Sequence, residues 1–529
     1  MFEQLKHRVN RIQQNNIAHL LKDSKTGLEK ESLRVDSSGH ISQTDHPSVL
    51  GSALTHPTIT TDYSEALLEL ITPPCNKAID AFEYLLNIES YVYQHIEDEL
   101  LWTSSMPCVL NGKDDIRIAQ YGSSNAGRMK SIYRHGLAWR YGKTMQVIAG
   151  IHFNYSIAEH FWAAFQEIEN NTQSLQDFIN QQYMAMTRNI QRYGWLIPYF
   201  FGSSPAICQS FLAGKEKPEN MEILNQYTYY EPSATSLRMG DIGYTNRKEN
   251  KVGIKANYNS LKKYTDSLEY AITTPCPKYE KIGIKVQGEY RQLNSNILQI
   301  ENEYYSTVRP KQVLQGYERP IDALRKRGIQ YVELRSLDIN PYHPAGMSQD
   351  QLFFLEVFMH FCLLQESPKI TQQEQQEIDN NQSLVAHKGR QKNLKISYNQ
   401  QATPLKQRAQ DIISAMSVIA ELLDLAHNSD CYQDAVEHQA QLIQYPELTP
   451  SAKIMEDIRS NDHSFFKFAQ RKSEEHRQYF KNRKLTTALM NEFEQAAAQS
   501  IIEQKRKEAE DQLPFDEFLS RYLSGKLSI

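Results

Sequence analysis

Acidic residues set inside short apolar runs limit the folding of this chain more than any other feature. Three stretches carry them: GLEKESLRV at 27–35, TTDYSEALLELITP at 60–73 and QYVELRSLDINP at 330–341. The apolar parts are short, rich in leucine and β-branched residues, and bounded by proline or polar turns, so they read as strands. Along a strand, side chains two apart share a face. Glu29 and Glu31 therefore point the same way. Two buried carboxylates side by side repel and rise in pKa. Cations between them make the arrangement tolerable. A solvent-facing strand edge with Lys30 turned inward accounts for the same pair, and the segment alone leaves both readings open.

In the second stretch Glu65 and Glu69 are four apart, a spacing that shares a face on a helix or a strand. Asp62 and Glu69, seven apart, share one only on a helix. The short run and the following Pro73 and Pro74 favour a strand for LLELIT. Glu69 then sits between Leu68 and Leu70, which is not where a simple surface acid belongs. In the third stretch, alternation puts Glu333, Arg335 and Leu337 on one face. A glutamate beside an arginine is an ordinary ion pair in isolation. It is also what a metal–phosphate site needs, an acid for the metal and a guanidinium for phosphate oxygens. His152, in AGIHFNYS, lies mid-strand between Ile151 and Phe153, where a histidine alone reads first as a core residue with its hydrogen bonds satisfied. Together the stretches supply four glutamates, an aspartate, a histidine and an arginine on apolar strands. So oxygen-rich a set suits magnesium or manganese rather than zinc or an iron–sulfur cluster.

Other phosphate-handling motifs fail. Gly142-Lys143-Thr144 resembles the end of a P-loop, but Leu137 stands where its upstream glycine belongs, and the run that follows reads as a strand, not a helix. No G-x-G-x-x-G loop exists, so a dinucleotide fold has no support. The six cysteines (75, 108, 208, 276, 362 and 431) are scattered without a C-x-x-C pair, which argues against a zinc module or a disulfide framework and for a reducing cytoplasm. A net charge of −5 with no basic block speaks against nucleic acid or a membrane surface as partner. The amino-terminal residues lack a signal-peptide core. The longest apolar stretch, 352–364, is interrupted by Glu356 and His360 and falls short of the roughly 20 residues a membrane span needs. No obligate protein partner is expected.

Helical spacing is expected over residues 1–22, 76–101 and 174–197, and short strands return between 280 and 340 as KIGIKV, NILQIE and QYVELRSLDI. Near residue 365 the chain turns polar and glutamine-rich (QESPKITQQEQQEIDNNQS), which reads as a surface excursion or linker. Beyond it the pattern is mostly helical, and the dense mixed charge of 471–511 reads as a solvated helix face. Strands and helices without regular βαβ alternation indicate an α+β protein. The expected division is a catalytic domain over 1–365 and a mostly helical region over 366–529 that packs on it, with a single domain as the alternative.

With these three stretches stand SMPC, AQYGSSNAGRMKSIYRHGL, RYGKTMQVIAGIHFNYS, YGWLIPYFFGSSPAIC, ATSLRMGDIGYTN, LNSNILQIENEYY and RPK. In this order they resemble the γ-proteobacterial, type 1, glutamate–cysteine ligase family over residues 27 to about 360, and the match thins beyond 370. The resemblance implies a glutamine-synthetase-like fold, in which a curved antiparallel sheet surrounded by helices forms a funnel-shaped active site. It implies ATP-dependent joining of the glutamate γ-carboxylate to the amine of cysteine, the first step of glutathione biosynthesis. Magnesium, with manganese as a substitute, would be held by Glu29, Glu31, Glu69, His152 and Glu333, with Asp62 as a further member. Arg335 would contact the transferred phosphoryl group, acting in catalysis with Glu29 and Glu333. Tyr133, Arg134, Gln146, Arg238, Tyr244 and Tyr305 would line the amino-acid sites. One position departs from the pattern: Tyr63 replaces the phenylalanine expected beside the cysteine pocket, and its hydroxyl needs a partner.

The expected chemistry follows from the weakness of a free carboxylate as an electrophile. ATP phosphorylates it, the amine attacks the acyl phosphate, and ADP and phosphate are the products. Such a site must assemble three phosphates, a substrate carboxylate and its own glutamates, and divalent cations are the counter-charge on that scale.

Overall fold

All three acid-bearing runs contain strands, and the strands belong to one sheet. A computed structural model describes residues 2–107, 109, 110, 112, 115–212, 216–243 and 254–527. The strands are β1 (Lys25–Val35), β2 (Ile59–Thr61), β3 (Leu67–Ile71), β4 (Leu100–Leu101), β5 (Ile151–Ser156), β6 (Val308–Lys311) and β7 (Tyr331–Leu337). They pair in the order β6-β7-β5-β1-β3-β2, with β4 on the end of β1, and every pairing is antiparallel. The sheet stays open rather than closing into a barrel. β1 is central, so the strand-edge reading of Glu29 and Glu31 is wrong about the edge, yet right that Lys30 turns inward: its ammonium meets Glu89 at 2.7 Å.

The helices α1 (Ala78–Tyr93), which carries Glu89, and α2 (Asn125–Tyr141) follow in the chain, then α3 (Leu175–Tyr193) and α4 (Gln349–Leu364), and α1, α3 and α4 cover the back of the sheet. Of these, α1 packs on β1, and α4 packs on α1 and α3. Leu28, Leu68, Leu70, Phe153 and Leu334 are inaccessible to solvent in this layer. Each contributes about 1.5–3 kcal/mol by leaving water, so the sheet can carry charge on its other face.

After residue 365 come α5 (Gln372–Lys388), α6 (Leu405–His427), α7 (Cys431–Gln444), α8 (Phe465–Asn482) and α9 (Thr487–Glu510). Residues of α4, α6, α7 and α8 share one contiguous buried cluster with the sheet. Among the described residues no helix is long and apolar enough to cross a membrane.

Several local expectations change. The glutamine-rich linker is in fact α5. Thr371 caps it by accepting from the Glu374 amide at 3.1 Å, a T-x-x-E start signal that polar composition obscures. KIGIKV supplies only the two-residue strand Lys285–Val286, and NILQIE forms none. The Ile297 and Leu298 amides instead bond to the carbonyls of Thr274 and Ala271, at the end of the helix Leu261–Thr273. Cys208 is disulfide-bonded, whereas Cys75, Cys276, Cys362 and Cys431 are free thiols. Distance along the chain does not limit which cysteines a fold brings together. Cys108 lies outside the described residues.

Candidate active site

Pairing register assembles the acids. Glu29 lies opposite His152, Glu31 opposite Glu69, and Glu333 opposite Asn154. Directly opposed residues in an antiparallel pair share a face. Alternation then places Glu29, Glu31, Glu69, His152, Asn154 and Glu333 on the front of four adjacent strands. His152 is the hub. Its Nδ1 lies 3.0 Å from Glu29 and 3.8 Å from Glu333, and its Nε2 lies 3.7 Å from Glu31. Arg335 Nη1 donates to Glu333 at 2.9 Å, and Asn154 Nδ2 donates to Glu29 at 2.7 Å.

The electrostatics show how unevenly this face is compensated. Burial, then the charges of Glu29, Asp62 and Glu31, hold the Glu69 carboxyl well above the usual carboxylate range. Burial raises Glu31 as well. Glu333 goes the other way: burial opposes ionisation, but Arg335, Lys311 and His152 together pull it well below. Glu29 is also lowered, because the hydrogen bond from His152 and nearby positive charge outweigh burial and the charge of Glu333. Acids without enough cations coexist with buried atoms that make no hydrogen bond, namely His152 Nε2 and Glu333 Oε2. Among the described residues, Glu29, His152 and Glu333 offer ligand atoms within 4.8 Å of one another. Two carboxylates and an imidazole so close together suit a hard divalent cation.

Glu31 joins this group through His152. Glu69 and Asp62 reach it through their charges, outside the three-residue cluster. Asp62 sits in the β2–β3 loop, where its carbonyl accepts from the Tyr121 hydroxyl at 2.9 Å and from Arg134 Nε. Glu65, four residues before Glu69, does something else: its carboxylate accepts from the amides of His46 and Gln120 at 3.0 and 2.8 Å and so clips two loops together.

The remaining predicted residues have settings of their own. Arg238 is buried, and its Nη2 donates to the Arg335 carbonyl at 3.0 Å. Gly150 makes room for it, since a Cβ there would lie 2.0 Å from Arg238 Nη2. Asp338 anchors the same corner by accepting from the Ser203 amide and the Ser204 and Ser236 hydroxyls at 2.7–2.9 Å. The Tyr305 hydroxyl donates to Gln146 Oε1 at 2.8 Å, and Gln146 Nε2 is buried without a partner. The Tyr63 hydroxyl is likewise buried and unpartnered, and burial pushes its pKa up. Tyr133, on α2, accepts from Gln299 through its carbonyl at 3.2 Å. Tyr244 lies outside the described residues. Arg335 and Tyr305 also line a cavity of about 530 Å³ shared with Met239, Asp241, Tyr304 and His387.

Sequence reasoning missed Asn154 and Lys311. Asn154 stands two residues after His152 and was legible by alternation. Lys311, 3.6 Å from Glu333, becomes visible only once β6 is registered against β7.

Comparison with known proteins gives a consistent result. The family model described as glutamate–cysteine ligase matches residues 9–385. The glutamate–cysteine ligase of Alcanivorax borkumensis is 45% identical over 525 residues, covering 98% of this chain and 99% of its own. That of Pseudomonas entomophila is 44% identical and covers 96% of each chain. Among solved structures, a glutamate–cysteine ligase from Francisella tularensis in complex with AMP is similar with a TM-score of 0.89 and 35% identity, covering 95% of this chain and 98% of that one. A bifunctional glutathione synthetase from Pasteurella multocida aligns with a TM-score of 0.72 and 25% identity, over 92% of this chain and 58% of that one.

Proposed function

The chain belongs to the glutamate–cysteine ligase family, and from that premise we propose how its sheet carries out the ligation. The protein is an ATP-dependent ligase that forms γ-glutamylcysteine, the first step of glutathione biosynthesis. The observation that carries the mechanistic reading is the front face of the sheet, where buried carboxylates outnumber their cations and an arginine lies at their edge.

Glu29, Glu31, Glu69, His152 and Glu333, with Asp62 beside them, would hold magnesium or manganese. Such ions supply the counter-charge that lets the phosphates of ATP approach this face. Arg335 is held against Glu333 by Nη1 and faces the cavity. ATP lies in that cavity with its γ-phosphoryl group toward Arg335, whose planar guanidinium steadies charge on the phosphoryl oxygens during transfer. Arg134 and Arg238 fix the carboxylate ends of the amino acids. Tyr63, Tyr133, Gln146 and Tyr305 shape the neighbouring pocket, and the unpartnered Tyr63 hydroxyl and Gln146 amide are the polar atoms a substrate would satisfy. Burial of this face keeps water from an acyl phosphate.

The γ-carboxylate oxygen of glutamate attacks the γ-phosphorus and ADP leaves. The cysteine amine attacks the acyl carbon, the C–O bond to phosphate breaks, and the amine's proton is lost. One carboxylate oxygen therefore departs in inorganic phosphate. Glutamate labelled with ¹⁸O in its γ-carboxylate should deliver label to phosphate. Label in AMP would replace this path with an acyl-adenylate, and no label in either would overturn the ligation mechanism. Phosphate release against a panel of amines tests the preference for cysteine.

A further inference from the structure

Lys130 and Arg134 lie four residues apart on α2 and so share one helix face. Arg134 is buried, and Lys130 is partly so. Arg134 spends Nε on the Asp62 carbonyl and Nη1 on the Lys130 carbonyl, the latter at 3.0 Å. Both cationic heads stand over the ring of Tyr121, at 5.0 Å for the ammonium and 4.6 Å for the guanidinium. The Tyr121 hydroxyl donates to the carbonyls of Thr61 and Asp62, which fixes this platform to the loop before Tyr63.

Two like charges on one helix face repel and destabilise the helix unless an anion lies between them. Elsewhere this chain pairs such groups. Arg140, on the same helix, stands 4.1 Å over Tyr279 and also meets Glu303 at 2.9 Å. Among the described residues, neither Lys130 nor Arg134 forms an ion pair, and the Lys130 ammonium donates no hydrogen bond. Its electrostatic neighbours besides Arg134 include Glu69 of the acid face, so the pair borders the site.

We propose that Lys130 completes with Arg134 a seat for the α-carboxylate of an amino-acid substrate. Lys130 thus becomes a substrate-binding residue of the ligation reaction. The seat rests on the ligase reading above, and it fits either glutamate or cysteine, whose backbone carboxylates have the same chemistry. Burial and the charge of Arg134 push the Lys130 ammonium down to about 8, with Glu69 opposing. An arriving carboxylate relieves that strain. A fork and a point charge together suit a planar carboxylate that must also be oriented.

The test is kinetic, on the full-length protein with magnesium and ATP. Lys130→Met should lower kcat/KM with glutamate and cysteine by roughly ten- to a hundredfold, as expected for losing one charged hydrogen bond. The loss should shrink to less than about threefold with one substrate that lacks the carboxylate. If the seat holds cysteine, that substrate is cysteamine. If it holds glutamate, it is 4-aminobutyrate, which is glutamate without its α-carboxylate. Lys130→Arg should retain more activity than Lys130→Met. If the methionine variant does not fold, Lys130→Gln serves in its place. A variant within threefold of the parent on the natural pair overturns the proposal, as does an equal loss on all substrate pairs. Failure of the parent protein to make γ-glutamylcysteine would instead sink the ligase reading.

Discussion

On the back of β1, Lys30 meets Glu89 at 2.7 Å, Thr26 and Tyr432 both donate to Glu356 at 2.9 and 2.8 Å, and Tyr155 bonds His360 at 2.8 Å. On the front, one strand position away, Glu29, Glu31, Glu69 and Glu333 share one histidine and one close arginine. Both faces hold titratable groups away from water, the back completely and the front less so, since Glu29 and Glu69 are only partly buried. The back matches each with a partner from a helix, whereas the front crowds like charges around His152 and Arg335. A buried charge with its own partner is a structural element, and breaking the pair leaves the survivor uncompensated. A buried charge set without enough partners is complementary to something that arrives. Polarity alone does not separate the two faces; compensation does.

Substitutions on the two faces should therefore fail differently. The largest effect expected is on the front. Glu29→Gln should cut kcat by roughly 10³-fold, the several kcal/mol that a Lewis-acid ion contributes, with little change in the thermal midpoint. Steady-state turnover at saturating magnesium beside a melting curve checks both halves, and near-parental turnover would erase the distinction between the faces.

Next comes the back. Lys30→Met leaves Glu89 buried and alone, and should cost about 3–5 kcal/mol of stability, read from urea unfolding. If the variant were instead stable but inactive, Lys30 would belong with the front.

Arg335→Lys sharpens the front itself. Lysine keeps the charge but loses the planar fork, so kcat should fall more than about tenfold. A smaller fall would make Arg335 a structural partner of Glu333, in the manner of the back face.

The smallest effect is Glu356→Gln, which gives up one of two accepted hydrogen bonds for about 1 kcal/mol. Burial pushes the Glu356 carboxyl up to about 7, opposed by the bonds from Tyr432 and Thr26. An acid raised in the folded state binds more protons there than when unfolded, so its contribution falls as pH rises from the ordinary carboxylate range through about 7. The stability deficit of the variant should therefore narrow between pH 5 and 8, and a constant deficit would show that Glu356 does not titrate in this window.

Local pattern alone puts Glu29, Glu31, Glu69 and Glu333 on apolar strands, while Asp62, expected with them, lies in the β2–β3 loop. A strand's period of two forces Glu29 and Glu31 onto one face whatever the strand packs against, and it sets Glu69 on the face opposite Leu68 and Leu70. The segment 330–341 carried Glu333 and Arg335 for the same reason. The helix of Lys130 and Arg134 was not among the expected helices, although its start signal is local: Ser124 caps it by accepting from the Gly127 amide.

What the pattern could not carry is pairing. Which strands neighbour one another, and in what register, depends on contacts between residues from about twenty to nearly two hundred positions apart. Only the tertiary structure set His152 opposite Glu29, brought Lys311 to Glu333, and separated Glu65, a loop clip, from Glu69, four residues on. The same non-local terms bonded Cys208 and left the Tyr63 hydroxyl buried without a partner. A side chain's face follows from its own backbone period, but its partners follow from strand pairing, and the charge balance of the front face exists only after the strands have paired.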